Sequence, residues 1–388
     1  MRVLVVHNRH RAALASEQNL AVDYDVQLLR EAQVKVELLA NTSDDINLRH
    51  PHALMTSALG PVYSRPGASW LKHAIKAQRP DVVHVHNVNP LFSPWVVKVA
   101  QSAGIPVVAS IGDYGLDCVN GDYFRDGQVC TKCAGRALAT PALRHGCSPG
   151  SSAQTLSLVV GRSAHRSTWR SVDAFVVPTA FHAKFLERLD IDVERIHLRP
   201  NPVEDPGTPT KPGDTVVFAG RLDAASGAAL LVEAWEKGAG ENGLMLRILG
   251  DGPDAAALRE RAADVFGVDV VTGMEPAAVR AAIGRSAFVA VPSQSFNGFP
   301  RVVAEAFAAG RAVMASPIGA LPAVVGADAG WLVPGGVQVW ARTIRELDGD
   351  EIRQQGNAAR ARYDEHLTPK AATEHLIEIY EGLTPSES

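Results

Sequence analysis

The sequence predicts an α/β protein built from two doubly wound domains, each on a parallel sheet. Three observations carry this. Short β-branched runs alternate with longer helical patterns from end to end, the signature of strands joined by helical crossovers. The chain has 388 residues, beyond the size at which one core keeps growing. The segment Pro200–Gly213 holds five prolines and two glycines, so it can continue neither a helix nor a central strand and reads as a linker.

The elements follow in order. Strand runs in the first half are Val3–Val6, Val34–Ala40, Val82–His86, Val107–Ser110 and Phe175–Pro178. The second half repeats the scheme with Val216–Ala219, Leu246–Leu249, Val268–Val271, Phe288–Val291 and Ala312–Ser316, separated by helical stretches such as Ala228–Lys237 and Ala255–Phe266. After Leu347 the pattern is helical to about Leu383. The expected domains are therefore 1–198, a linker over 199–214, 215–365, and a terminal helix in 366–388. Ligands of such sheets collect beyond the carboxyl ends of the strands, which places one site in a cleft between facing domains.

Charge is uneven: residues 1–200 carry 22 Lys+Arg against 17 Asp+Glu, and residues 201–388 carry 16 against 25. A surplus this modest over two hundred residues reads as a solvated face and gives no reason to expect nucleic acid. The opening Met-Arg-Val-Leu-Val-Val-His-Asn-Arg has an apolar run of four residues before charge returns, too short for a signal-peptide core or a membrane helix. A cytoplasmic protein is expected. In that compartment four cysteines suit metal ligands or reduced thiols better than a disulfide framework.

The segments that carry chemistry lie in residues 216–335: Phe218-Ala-Gly-Arg-Leu222, Ile248-Leu-Gly-Asp-Gly-Pro253, Val291-Pro-Ser293, Asn297-Gly-Phe-Pro-Arg-Val-Val-Ala-Glu305 and Ala315-Ser-Pro-Ile-Gly319. In this order and spacing they resemble the retaining glycosyltransferases of family 4. Asp81-Val-Val-His-Val-His-Asn87 in the first half adds a softer match. The resemblance implies the GT-B arrangement of two Rossmann-like domains facing a cleft, with the helices from about Ala371 crossing back to the first domain. It also implies a hexosyltransferase-type activity that retains configuration, a UDP or GDP sugar as donor, and a carbohydrate or lipid-linked acceptor. No catalytic metal is implied.

By the same resemblance the donor rests on Arg221, Ser226, Gly250, Asp251 and the turn of Asn297, Gly298, Phe299, Pro300, Arg301 and Val302, with Glu305 on the ribose. Arg221 and Asp113 take the catalytic positions, and His86 and Asn87 are acceptor or cleft candidates. Four positions depart from the family pattern. Asn297 replaces the first Glu of a Glu-x7-Glu pair, and Ser226 replaces a Lys five residues after the Arg. Gly112 stands where a His often precedes Asp113, and Ala12–Asn19 lacks the usual glycine. Losing a cation that faces the leaving phosphates costs on the order of 3 kcal/mol in the transition state. These changes motivate a rival reading, a homologue that binds nucleotide, glycan or partner without turnover. An epimerase or hydrolase is weaker for want of an acid/base pair, and no Gly-x-Gly-x-x-Gly follows the first strand to suggest a dehydrogenase. His84 and His86 are read as facing opposite sides of their strand, with His86 the better site candidate. Glu305 and Arg221 are read as ligands in preference to an ion pair, and His7 ends a strand with no role assigned.

Cys118, Cys130, Cys133 and Cys147 fall within thirty residues, with Cys130-Thr-Lys-Cys133 giving a knuckle spacing. Four thiolates suit a structural tetrahedral zinc in an insert over 113–150; reduced buried thiols are the open alternative. A subgroup of family 4 resembles this region, including the turn Arg125-Asp-Gly127. After it Arg162, His165, Arg166 and Arg170 recur at helical spacing and read as a basic stripe. A solvated face is the default for such a stripe, and an anionic acceptor or peripheral membrane contact is the functional alternative.

Overall fold

The β-branched runs become strands of parallel sheets in a computed structural model, which describes residues 1–10, 16–42, 44, 59–148, 152–296 and 298–384. The chain divides into two compact units: Met1–Tyr123, Thr131–Arg199 and Ala372 onward form the first, and Phe124–Cys130 with Pro200–Ala371 the second.

The first unit holds β1 (Arg2–Arg9), β2 (Lys35–Thr42), β3 (Val82–Val85) and β4 (Val107–Ser110). A hairpin of β5 (Phe124–Arg125) and β6 (Gln128–Val129) falls next in the chain and groups with the second unit. Its turn residues Asp126 and Gly127 both have positive φ, which suits a tight two-residue hairpin. The first sheet is completed by β7 (Ala174–Val177) and β8 (Ile196–Leu198), in the order β2-β1-β3-β4-β7-β8. All its pairings are parallel, with Val3 opposite Val36 on one side and Val82 on the other. Residues 3–6 are buried without alternation, as a strand covered on both faces requires. Val3, Val5, Val82, Val108 and Val176 pack against Leu376, Ile379 and Tyr380 of the terminal helix Pro369–Leu383.

The second sheet runs β11-β10-β9-β12-β13-β14, from β9 (Thr215–Ala219), β10 (Met245–Leu249), β11 (Val268–Val271), β12 (Phe288–Val291), β13 (Val313–Ala315) and β14 (Gly330–Leu332). Between the sheets, 200–214 has no helix or strand. The edge strands β8 and β14 are three residues each, too short to stand out in the sequence pattern.

The basic stripe is not one helical face. The helix Ser152–Ala164 stops, and Arg166–Arg170 starts again after His165. His165 is 3% exposed, and its Nε2 donates to the Val62 carbonyl at 2.6 Å. It turns inward because its ring N–H needs that partner once buried.

One buried charge pair ties distant segments of the first unit. Arg199, 3% exposed, donates Nη2 and Nη1 to the two Asp25 carboxylate oxygens at 2.6 and 3.1 Å and Nε to the Ala372 carbonyl at 2.8 Å. Asp25 lies on the helix Glu17–Glu31. Removing one partner leaves the other charge buried and uncompensated, at a cost of about 3–5 kcal/mol. Asp25→Ala is therefore expected to lower the denaturant midpoint sharply, whereas Asp25→Leu with Arg199→Met recovers most of the loss.

Candidate functional site

In the second unit the strand order reverses between β9 and β12, and the carboxyl ends on either side of such a reversal form a binding crevice. β9 runs out into Gly220 and Arg221; β12 runs out into Pro292 and Ser293, and Gly298–Pro300 turn into the helix Arg301–Ala308. The neighbouring turns touch backbone to backbone. A Cβ on Gly227 (φ 76°) would lie 2.0 Å from the Pro292 oxygen, and one on Gly250 would lie 1.8 Å from the Gly220 oxygen. Only glycine lets these turns approach so closely.

Arg221 projects into solvent, with its side chain 61% exposed and Nε donating to Asp223 Oδ2 at 2.8 Å. The other oxygen of Asp223 accepts the N–H groups of Ala225 and Ser226 at 3.1 Å. Ser226 gives its hydroxyl proton to the Asp223 carbonyl at 2.7 Å, so it shapes the turn ahead of the helix Ala228–Glu236. Asp251 accepts the Gly273 N–H at 3.2 Å. Together with the Gly250 contact, this makes the Gly-Asp-Gly stretch a splice between turns.

Asn297 lies outside the described residues. After it Phe299 is buried, while Gly298, Pro300, Arg301 and Val302 are half-buried. No side chain caps the helix at Pro300, so its first N–H groups are left for water or a ligand. Glu305 accepts from Arg301 Nε at 2.9 Å. Neither Arg221 nor Glu305 pairs with the other in the described contacts: each holds a local partner. Burial pushes the Glu305 carboxyl above its ordinary range, with Arg301 and Arg280 opposing and Glu204 adding to the rise. The Arg301 partnership carries no signal in the family pattern, although Arg and Glu four residues apart on a helix would suggest it.

In the first unit a second group gathers at the ends of β1 and β3. His84 and His86 share a face, with ring centroids 4.3 Å apart. This corrects the opposite-face reading, because residues two apart on a strand point the same way. His84 bonds the Tyr380 hydroxyl through Nδ1 at 2.7 Å and the Ser110 hydroxyl through Nε2 at 2.8 Å. Burial drives its pKa down to about 3, with Arg199 contributing. His86 is half-buried at the strand end and is lowered by burial, then by His84, His7 and Arg199. His7 donates Nε2 to Asn19 at 2.9 Å, and Asn87 donates to the Asn8 carbonyl at 2.9 Å.

Asp113, after β4, accepts Gln18 Nε2 and the Gly115 N–H at 2.8 Å each. Ser16 caps the helix Glu17–Glu31, so the described part of the glycine-free stretch is a helix start. A Cβ on Gly112 would meet nothing within 4 Å. The sequence reading missed His182, which is fully buried, stacks on Tyr114 at 4.7 Å and bonds Thr179 through Nδ1. Burial lowers it to about 4, against the Gly112 carbonyl.

Among the described residues no group of three or more His, Cys, Asp or Glu could hold a metal ion. Cys118 donates Sγ–H to Asn120 at 2.8 Å, while Cys133 packs with Ala139, Ala142 and Val159, and Cys147 lies against that cluster. Metal analysis separates the two readings. About one zinc per chain, lost in Cys130→Ser, is what the spacing predicts; zinc-free protein prepared without chelator rules that reading out.

Two Rossmann-like units, each on a parallel sheet and one with the strand order of a nucleotide-binding fold, define a GT-B protein. The chain belongs to the glycosyltransferases: residues 8–202 match the family described as Glycosyl transferase 4-like domain, and residues 213–350 match Glycosyl transferases group 1. Curated relatives include an exopolysaccharide phosphotransferase of Streptomyces coelicolor, 31% identical over 49% of this chain and 21% of that protein. A D-inositol 3-phosphate glycosyltransferase of Jonesia denitrificans is 31% identical over 44% of this chain and 43% of that protein. The chain thus spans less than half the length of these relatives. Similar solved structures include Anabaena HepE in complex with UDP and glucose, with TM-score 0.64, 13% identity, and coverage of 98% of this chain and 100% of that one. Sucrose-phosphate synthase from Thermosynechococcus elongatus has TM-score 0.62 and 18% identity, with 98% of each chain covered. No helix among the described residues is long and apolar enough to cross a membrane.

Two outcomes follow from the packing of these sites. Gly250→Ala forces apart the turns after β9 and β10 and is expected to cost on the order of 1–3 kcal/mol, measured by chemical unfolding. His84 and His182 stay neutral when folded down to about pH 3 and 4 but take up protons below about 6.5 when unfolded. The unfolded state therefore binds more protons in that window, and stability falls as pH drops from about 6.5, by up to about 1.4 kcal/mol per pH unit for each histidine. His84→Gln or His182→Gln should flatten the fall.

Proposed function

We propose that the protein transfers a sugar from a nucleotide diphosphate sugar, of UDP or GDP type, to a carbohydrate or lipid-linked acceptor with retention. The observation that carries this reading is that Arg221 follows the carboxyl end of β9 while Glu305 lies on the helix that follows β12, on either side of the strand-order reversal. Family membership supports it, and so does the presence of UDP in the structural neighbour named above.

In this reading Arg221 turns its fork from Asp223 to the diphosphate, where charge builds as the glycosidic bond breaks. The uncapped start of the helix Arg301–Ala308 adds N–H donors. Glu305 accepts the ribose hydroxyls, and the first unit takes the acceptor, with Asp113, His86 and Asn87 as the residues to test. Ser226 supplies a hydroxyl where the family pattern has an ammonium, so the diphosphate is held with one cation fewer.

Incubation with a panel of UDP and GDP sugars, following nucleotide release and the anomeric configuration of the product, tests the reading. Release with a retained anomer supports it. Nucleotide binding without release to any acceptor class sinks it. Arg221→Ala is expected to lower kcat about a hundredfold or more, and Ser226→Lys to raise it. Glu305 gains its proton as pH falls through its raised pKa. As pH is lowered, nucleotide affinity should therefore already weaken before the range near 4.3 where an ordinary glutamate titrates is reached, and Glu305→Gln should abolish that dependence.

A further inference from the structure

Four arginines, Arg136, Arg162, Arg166 and Arg170, line one solvent-open recess in the first unit. Arg162 forms its floor. Its side chain is 9% exposed, donates to the carbonyls of Asp117 and Arg136, and lies 4.0 Å from the buried Asp117 carboxylate. That carboxylate also accepts the Tyr123 hydroxyl at 2.5 Å and the Gly135 N–H at 2.8 Å, so it is saturated behind the wall. At the rim Arg166 and Arg170 share Asp190, Arg166 at 3.5 Å and Arg170 in closer contact. Asp190 is 67% exposed and sits at φ 61°, a left-handed conformation that a non-glycine residue adopts at some cost.

Two features point to a ligand. Arg166 Nε is buried without a hydrogen-bond partner, which is costly unless something accepts from it. The rest of the lining is apolar, chiefly Trp169, Leu189 and Ile191, and all three are buried. Guanidinium forks beside an apolar wall match a tetrahedral oxyanion on a hydrocarbon body.

We propose that this recess binds a phosphate ester with an apolar substituent, the phosphate taking the place of Asp190 on Arg166 and Arg170 and the substituent lying along the apolar lining beside Leu116 and Ala137. The site is independent of the nucleotide reading of the second unit.

Titration calorimetry on the full chain at low salt tests it with three probes: dodecyl phosphate below its micelle concentration, inorganic phosphate, and dodecyltrimethylammonium. Dodecyl phosphate is expected to bind one per chain, at least about tenfold more tightly than inorganic phosphate, while the cationic amphiphile does not bind. Arg166→Ala with Arg170→Ala should weaken the ester about tenfold or more. Asp190→Asn, which removes the competing carboxylate, should tighten it severalfold. Arg221→Ala should leave it unchanged, which separates this site from the donor site. Equal binding of phosphate and ester, equal binding of the cationic amphiphile, or a folded double variant that keeps its affinity would overturn the proposal. Should the double variant not fold, Asp190→Asn decides alone, and absence of any gain overturns it.

Discussion

Parallel pairing is the constraint on which the rest of the molecule depends. Strands that run the same way cannot be joined by tight turns, so each must be followed by a crossover that returns the chain to the other end of the sheet. Every β→α turn of one sheet then leaves from the same edge. In the second unit this brings the turn after β9, with Arg221, next to the turn after β12 that leads to Glu305. In the first it brings His7 and His86 to adjacent strand ends, with ring centroids 6.2 Å apart. The edge is crowded, and glycines such as Gly227 and Gly250 relieve the crowding where backbone meets backbone. The same residues that read as a ligand motif are in part the condition for closing the turns.

A second demand comes from burying polar groups beneath these sheets. Arg199 meets it with a carboxylate and a carbonyl. Arg311, 1% exposed, meets it with neutral oxygens alone: its guanidinium donates to the Gly284 carbonyl at 2.6 Å and to the carbonyl and hydroxyl of Thr210 at 2.8 Å. Burial without a carboxylate lowers its pKa, but an arginine keeps its proton, so the cage fixes Thr210 and Gly284 to each other. His84 does the same between Tyr380 and Ser110 in neutral form. Each solution joins segments far apart in sequence, which gives the cores their specific partners as well as their burial.

The strands were legible because buried parallel strands read as unbroken β-branched runs, and the irregular stretch 200–214 because proline has no N–H to give a ladder. The family was legible because turn glycines and a helix-borne carboxylate recur at fixed spacing. Pairings were not. Nothing in the motifs shows that Arg221 rests on Asp223 or that Cys133 packs with Val159, and the family pattern passes over the Arg301–Glu305 pair although helical spacing allows it. His165 was placed on the outer stripe by helical spacing, yet the helix breaks there and the ring meets Val62, 103 residues away. His182 carried no motif; only the fold puts it beside Tyr114 and the Gly112 carbonyl. Contacts distant in sequence account for His165 and Cys133, whereas the pairings of Arg221 and Glu305 are local and were passed over because both residues read as ligands.

Arg221 and the pair Arg166 and Arg170 show one arrangement at two places: an arginine at least partly open to solvent and held by a carboxylate. Exposed pairs of this kind contribute about 0–1 kcal/mol, while a phosphate gripped by a guanidinium fork gains two charge-assisted hydrogen bonds. The local carboxylate therefore orients the arginine in the absence of an anion and yields to one at little cost. Ser226 cannot act this way. Its hydroxyl proton is already given to the Asp223 carbonyl, it carries no charge, and any donor in reach of a phosphate would have to come from breaking the turn that positions Arg221. In the proposed reading the charge requirement at the second sheet's edge thus falls on Arg221 and on the open N–H groups ahead of Glu305, and a change at either cannot be absorbed by Ser226.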